Sequence, residues 1–289
     1  MGSFYFKKFA IRHTDSAMKV NTDGVLLPAW VSVPAITSKR YRVLDIGTGT
    51  GVISLIIAQR LAETGRNSFE ITAIDIDPDA VKEAEYNFNN SPWKRVLKSE
   101  HISLQDFLIR FRSSQSNLLK INSVESGSSD NISGSTTFPD HEFEAVKTKF
   151  SLIISNPPFF SNSLLPPSQR RSDARHNNAL PFSDLLKGAS DLLEEDGVFA
   201  VVLPADQGGT VIELAKENGL SPLRLCRVKT LADKKEKRYL IEFSKNKKVS
   251  YSEETLVMQL NGGKYYTPEY CSLVENFYLK DFPRTSSGE

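Results

Sequence analysis

The segment Val43-Leu44-Asp45-Ile46-Gly47-Thr48-Gly49-Thr50-Gly51 constrains this chain more than any other stretch. An apolar run of strand length ends in an acid and three alternating glycines. The helical spacing of Val52, Leu55, Ile56, Ile57 and Leu61 begins directly behind them. A strand that runs through a glycine loop into a helix is the opening unit of a parallel α/β sheet. Glycine is needed there because a ligand can approach the backbone closely only where no side chain intervenes. A dinucleotide-binding fold has the same outline but requires G-x-G-x-x-G. Its third glycine would fall at position 52, which is Val52.

The alternation continues along the chain. Strands are expected at 41–46, 70–75, 101–104, 151–155 and 198–203. Helices are expected from Pro78 to about 89, near 182–194 and near 207–218. Two more strands follow at 223–229 and 237–244. A strand near 255–260, a turn at Gly262-Gly263 and a helix over 268–280 close the chain. Ahead of the glycine loop, residues 3–11 alternate partly, which suggests a short hairpin or an edge strand. Asp23-Gly24 marks a turn with a short helix after it. Strands alternating with helices predict an α/β fold with a doubly wound, mostly parallel, Rossmann-like sheet. Such a sheet binds its ligand at the carboxyl ends of its strands. The 289 residues read as a single domain, with an N-terminal extension over 1–40 and a terminal strand and helix within 245–289. Residues 113–148 interrupt the order. They are rich in Ser, Asn and Gly and predict a mostly disordered insertion, with a crossover helix at 106–112 or near 141–147.

Composition excludes several classes. The formal net charge is +1, so a nucleic-acid partner would have to be met by a local basic patch and not by the field of the whole protein. The two cysteines, Cys226 and Cys271, form no C-x-x-C pair. No His/Cys/Asp/Glu spacing suggests a metal site. No apolar run approaches the length of a membrane span, and the first residues lack the long apolar stretch of a secretory signal. The expectation is a cytosolic protein with no membrane partner. A monomer is expected, although the sequence does not determine the oligomeric state.

G-x-G-x-G preceded by an acid is the form this loop takes in methyltransferases. Asp45 at the strand end can accept a hydrogen bond from a cofactor's cationic amino group, directly or through water. Gly47, Gly49 and Gly51 would form the cradle. Asp75, ending the second strand, can accept from both ribose hydroxyls. Asp106, after the third strand, can accept from the cofactor's adenine amine or serve a helix N-terminus. Asp77 is read as the N-cap of the helix that Pro78 opens.

Ile153-Ile154-Ser155-Asn156-Pro157-Pro158-Phe159 is the other informative segment. An exocyclic adenine nitrogen is a poor nucleophile because its lone pair is delocalised into the ring. Two acceptors for its hydrogens localise that pair: the Asn156 side-chain oxygen and the Pro157 carbonyl. Pro157 and Pro158 remove competing N–H donors and pre-organise the loop. Phe159 can stack on an extruded base. The Asn is compatible with adenine N6 and with a protein glutamine amide alike.

On these motifs the chain resembles class I methyltransferases of the N6-adenine type. More closely it resembles the bacterial tRNA1(Val) (adenine-37-N6)-methyltransferase family. The similarity includes Phe4-x-Phe6-Lys7-x-Phe9 and Met18-Lys19-Val20-x-Thr22-Asp23-Gly24-Val25-Leu26-Leu27. It extends to Ser91-Pro92-Trp93, Lys237-Arg238 and Tyr266-Thr267-Pro268-Glu269. The resemblance implies a seven-stranded sheet with strand seven antiparallel, S-adenosylmethionine as cofactor, and tRNA as partner, methylated beside the anticodon. The insertion is a departure from the family. RNA phosphates call for cations near the catalytic loop, and the candidates are Lys7, Lys8, Arg12, His13 and Lys19, then Arg170, Arg171, Arg175 and His176, and late in the chain Lys234, Lys235, Lys237 and Arg238. Competing readings are a glutamine-amide methyltransferase acting on a release factor, a DNA or ribosomal RNA adenine methyltransferase, and a non-enzymatic RNA-binding module. The release-factor enzymes usually have a separate helical N-terminal domain, and DNA enzymes generally add a recognition domain. A binding module would not need the Asn-Pro-Pro-Phe loop.

Overall fold

The computed structural model describes residues 2–14, 19–33, 40–66, 68–125, 148–158, 180–246 and 250–279. For 116–125 and position 261 it describes the backbone alone. A short hairpin, β1 (Ser3–Tyr5) and β2 (Ala10–Arg12), leads to helix α1 (Thr22–Trp30). Then come β3 (Tyr41–Ile46), α2 (Val52–Glu63), β4 (Phe69–Asp75), α3 (Pro78–Asn89), β5 (Leu97–His101), α4 (Leu104–Glu125) and β6 (Phe150–Ser155). After them follow α5 (Phe182–Leu192), β7 (Leu193–Pro204), α6 (Gly208–Glu217), β8 (Ser221–Lys229), β9 (Arg238–Ser244) and β10 (Ser252–Val257). A small hairpin, β11 (Gln259–Leu260) and β12 (Tyr265–Tyr266), precedes α7 (Pro268–Val274).

The central sheet runs in the order β10-β8-β9-β7-β6-β3-β4-β5. All neighbours pair in parallel except β9, which is antiparallel to both β7 and β8. The expected doubly wound sheet is present with its antiparallel strand, but it has eight strands and not seven. β10 adds itself parallel to β8, because the segment expected near 255–260 starts earlier and joins the sheet edge.

Helices cover both faces, so successive strand residues are buried in two different cores. Val43, Ile71, Ala73, Leu152, Ile154, Ala200, Val202 and Leu240 face the layer of α1, α2, α3 and α7. Leu44, Ile74, Ile153, Phe199, Val201, Ile241 and Phe243 face α4, α5 and α6. Burial on both faces is why these strands read as continuous apolar runs, not as alternation. Each fully buried Leu, Ile or Phe contributes roughly 1.5–3 kcal/mol of transfer free energy. Arg60 of α2 donates to the Pro28 and Val31 carbonyls at 2.7 and 2.6 Å, which closes the C-terminus of α1 against α2.

Two elements differ from the sequence reading. The third strand is Leu97–His101 and not 101–104. It is an edge strand with polar residues on its outer side, so the apolar pair Ile102 and Leu104 drew the assignment past its true end. The crossover helix starts at Leu104 and continues through Glu125, thirteen residues past 112. It is seated by Leu104, Phe107 and Phe111, all buried. A composition rich in Ser and Asn beyond 112 is why the segment reads as unstructured in sequence. Residues 126–147 lie outside those described.

The hairpin at the N-terminus is held by aromatic packing. Phe6 stacks on Phe9 with centroids 4.6 Å apart, Phe4 lies 6.0 Å from Tyr278, and Phe9 meets Trp93 edge-on at 5.9 Å. The Phe4, Phe6, Phe9 and Trp93 motifs therefore serve one packing task, anchoring the hairpin.

Candidate active site

A cavity of about 1010 Å³ opens at the carboxyl edge, where β3, β4, β5 and β6 end. Its walls are the glycine loop from Ile46 to Thr50, the turn Asp75-Ile76-Asp77, the start of α4, the Asn156–Pro158 loop, the start of α5 and the approach to α1. β3 and β6 are adjacent strands. The buried Ser155 hydroxyl donates to the Ile46 carbonyl at 2.8 Å, tying the two strand ends together. Asn156 and the glycine loop are thus set side by side by a hydrogen bond between the residues just before them.

The loop backbone needs glycine for two separate reasons. Gly47, Gly49 and Gly51 have φ of 72°, 54° and 80°, a region L side chains rarely adopt. At Gly47 and Gly49 an added Cβ would meet no atom within 4 Å, so the space over them is open cradle. At Gly51 it would lie 2.5 Å from Phe88 Cε1 of α3. Gly51, expected to touch cofactor, is off the cavity wall, and its lack of a side chain serves helix packing.

Asp45 is fully buried behind the loop and not on the wall. Its Oδ2 accepts from Thr48 Oγ1 at 2.8 Å and from Ser54 Oγ at 2.7 Å. Its Oδ1 is buried with no partner among the described residues. Burial pushes the carboxyl pKa up to about 6, against the two hydroxyls that favour the anion, with the charge of Asp75 adding to the rise. Asp75 lies on the wall. Its Oδ2 accepts from the Gly49 amide at 2.9 Å and its Oδ1 from the Asp77 amide at 3.0 Å, so it also braces the glycine loop. Asp77 caps α3 through the Asp79 amide, as the sequence predicts.

Asp106 is exposed and does not reach the cavity. It accepts from Ser103 Oγ at 2.6 Å, while Ser103 Oγ accepts from the Asp106 amide at 3.0 Å. This is a reciprocal cap on the first turn of α4. Ser103, Leu104 and Gln105 take the wall position instead. Asn156, Pro157 and Pro158 line the cavity, as does Lys19. Lys237 is exposed on the same edge but off the wall. Arg238 donates from Nε to Asp23 Oδ2 at 2.8 Å, so its head is engaged within the protein. That ion pair joins Thr22-Asp23-Gly24 to Lys237-Arg238, two motifs that looked unrelated in sequence. Phe159, Arg170, Arg171, Arg175 and His176 lie outside the described residues.

Several site residues escaped sequence reasoning. Asn21 caps α1 by accepting from the Gly24 amide at 2.8 Å, and it lines the cavity beside Lys19. Gln105 donates to Asp184 Oδ2 at 3.1 Å, so the starts of α4 and α5 meet at the cavity. Asn87, buried in α3, donates to the Thr50 carbonyl at 2.9 Å and to the Arg12 carbonyl at 3.0 Å. Its oxygen accepts the Arg12 amide at 2.8 Å. One turn earlier, buried Glu83 accepts from the Thr14 amide. Their i,i+4 spacing on α3 is a visible signal, though it does not say what they hold. Among the described residues no group of three or more His, Cys, Asp or Glu could hold a metal.

Comparison with known proteins decides the family. Residues 37–99 match the model of a methyltransferase domain, and residues 69–249 match that of the Eco57I restriction-modification methylase. A tRNA1(Val) (adenine(37)-N6)-methyltransferase from Parabacteroides distasonis is 35% identical over 96% of this chain and 98% of its own. One from Bacteroides thetaiotaomicron is 38% identical over 96% of this chain and 97% of its own. This chain belongs to the tRNA1(Val) (adenine(37)-N6)-methyltransferase family. Among solved structures, one described as a predicted O-methyltransferase from Agrobacterium tumefaciens matches with a TM-score of 0.57 at 16% identity. It covers 88% of this chain and 96% of that one, a likeness of fold.

For a methyltransferase of this family the methyl donor is S-adenosylmethionine, and the residues present fit it. The open cradle over Gly47 and Gly49 admits a ligand against the backbone. The unpartnered buried Oδ1 of Asp45 is an acceptor suited to a cationic amino group. The wall carboxylate of Asp75 is an acceptor suited to ribose hydroxyls.

Proposed function

We propose that this methyltransferase transfers the methyl group of S-adenosylmethionine to N6 of adenosine 37 in the anticodon loop of a valine tRNA. The observation that carries the reading is the Asn156-Pro157-Pro158 loop on the wall of the same cavity as the glycine loop. Bound there, the cofactor supplies an electrophilic sulfonium methyl. Gly47, Gly49 and Asp75 would hold it, with Asp45 behind them. The Asn156 side-chain oxygen and the Pro157 carbonyl each accept one hydrogen of the adenine amine and turn its lone pair toward the donor. The two prolines hold those acceptors in place before substrate arrives. No strong base is needed, because the methylated amine releases its proton to water. The reading carries with it a single-domain monomer working in the cytoplasm, where tRNA is found. No described helix is long and apolar enough to cross a membrane.

The match to a restriction-modification methylase model makes DNA the second substrate to test. Labelled S-adenosylmethionine is incubated with unmodified tRNA, DNA and a release factor, and the products are digested for nucleoside analysis. N6-methyladenosine at position 37 of the tRNA is the expected result. Label in DNA or protein alone would overturn the substrate while leaving the loop chemistry standing.

A further inference from the structure

β9 runs antiparallel, so its first residue lies at the carboxyl edge, beside the end of β7. β8 and β10 run with the main sheet and end at the same edge. Two connections therefore emerge next to each other there: the 230–237 loop and the β11–β12 hairpin. They are bonded together, with the Met258 amide donating to the Lys229 carbonyl at 2.8 Å and the Gln259 amide to Thr230 at 2.9 Å. Both carry lysines. Lys229 pairs with Glu236, Lys234 with Asp233, and Arg238 with Asp23. Lys235, Lys237 and Lys264 are exposed and have no carboxylate partner among the described residues. Asp206, exposed on the turn after β7, and Glu269, exposed at the start of α7 just past the hairpin, oppose them, and the three lysines still leave a positive surplus.

The sheet itself measures how far this surface lies from the site. β9, β8 and β10 are two, three and four strands from β6, whose end carries Asn156. At a strand spacing of about 4.8 Å, that is roughly 10–19 Å. A base extruded into the cavity leaves its own strand at the rim, and the flanking stem must cross the protein at such a distance.

Resting on the reading above, we infer that Lys235, Lys237 and Lys264 form a phosphate-binding surface for the base-paired stem flanking the target loop of the RNA. Phosphate contacts of this kind orient the RNA without reading its sequence. Each such contact releases a counterion, so the surface has a salt signature that structural lysines lack.

The test is the triple variant Lys235→Ala, Lys237→Ala, Lys264→Ala, titrated with unmodified tRNA and with a stem-less loop oligonucleotide at several salt concentrations. For tRNA, the slope of log affinity against log salt should fall by about 2–3, with a 10- to 100-fold loss at low salt. For the stem-less oligonucleotide the two proteins should agree. Unchanged S-adenosylmethionine affinity and thermal transition show that the variant is folded. An unchanged slope with tRNA, beside normal wild-type binding, overturns the surface alone. Failure of the wild-type protein to bind tRNA overturns the substrate reading, and this surface with it.

Discussion

Asn87 donates to the carbonyl of Thr50 at 2.9 Å, so a helix residue with no access to the cavity holds a residue that lines it. The same carboxamide bonds both backbone groups of Arg12, coupling the glycine loop to the N-terminal hairpin. Asn87→Leu would leave one buried and two part-buried backbone groups without their partner. We expect a stability loss of roughly 2–4 kcal/mol. A purely structural role would stop there. A positioning role also weakens S-adenosylmethionine binding several-fold at a temperature where the variant is fully folded. Calorimetric titration beside a melting curve separates the two, and an unchanged dissociation constant would remove Asn87 from the site's support.

Asp45 makes a pH prediction. Its carboxyl is raised from 3.8 in an ordinary environment to about 6 by burial. Between those values the folded protein keeps a proton that the unfolded chain has lost. Stability therefore falls as pH rises through that window, by on the order of 3 kcal/mol, and levels off above about 6. Asp45→Asn should remove this slope and leave the protein at least as stable at neutral pH. A cationic amino group favours the carboxylate, so wild-type cofactor affinity should rise as pH passes 6, while that of Asp45→Asn stays flat and weak. Melting curves and binding isotherms between pH 5 and 8 read both, and parallel wild-type and variant profiles would contradict the assignment.

Gly49 and Gly51 should fail differently. Gly51→Ala places a methyl group 2.5 Å from Phe88 at φ 80°, and we expect a loss of roughly 1–3 kcal/mol in stability. Gly49→Ala meets no neighbour, so its strain of about 1–2 kcal/mol is accompanied by a disproportionate loss of cofactor affinity. If the two variants show the same ratio of melting shift to binding loss, the cradle is misplaced.

Asn156→Ala should lower turnover by about two to three orders of magnitude, the usual effect of removing one pre-organised polar contact at a reacting centre. Cofactor affinity should change less than a few-fold. Single-turnover methylation beside equilibrium binding checks this, and retained turnover would refute the role given to the loop.

The parts of this protein that could be read from the chain are those governed by local rules. An apolar run buried on both faces, a loop of glycines at positive φ and a proline at the first turn of α3 are each decided by residues within one turn or strand. The β3–loop–α2 unit, the cap at Asp77 and the Asn-Pro-Pro loop were therefore visible. Where one local pattern supports two structures, contacts between segments distant in sequence decide. Asp106 is the exception, since a residue three positions away, Ser103, turned it to the helix end and not to a ligand. Gly51 sits in a ligand-binding pattern, yet Phe88, brought in by α3, gives it a packing task. β5 and β10 are edge strands whose polar residues fall on both faces, so pairing and not periodicity defines them. The support of Thr50 by Asn87 and the pairing of Arg238 with Asp23 join segments far apart in the chain. A hydrogen bond or ion pair of this sort leaves no periodic trace in sequence, because its geometry exists only after the sheet has brought both partners to the same place.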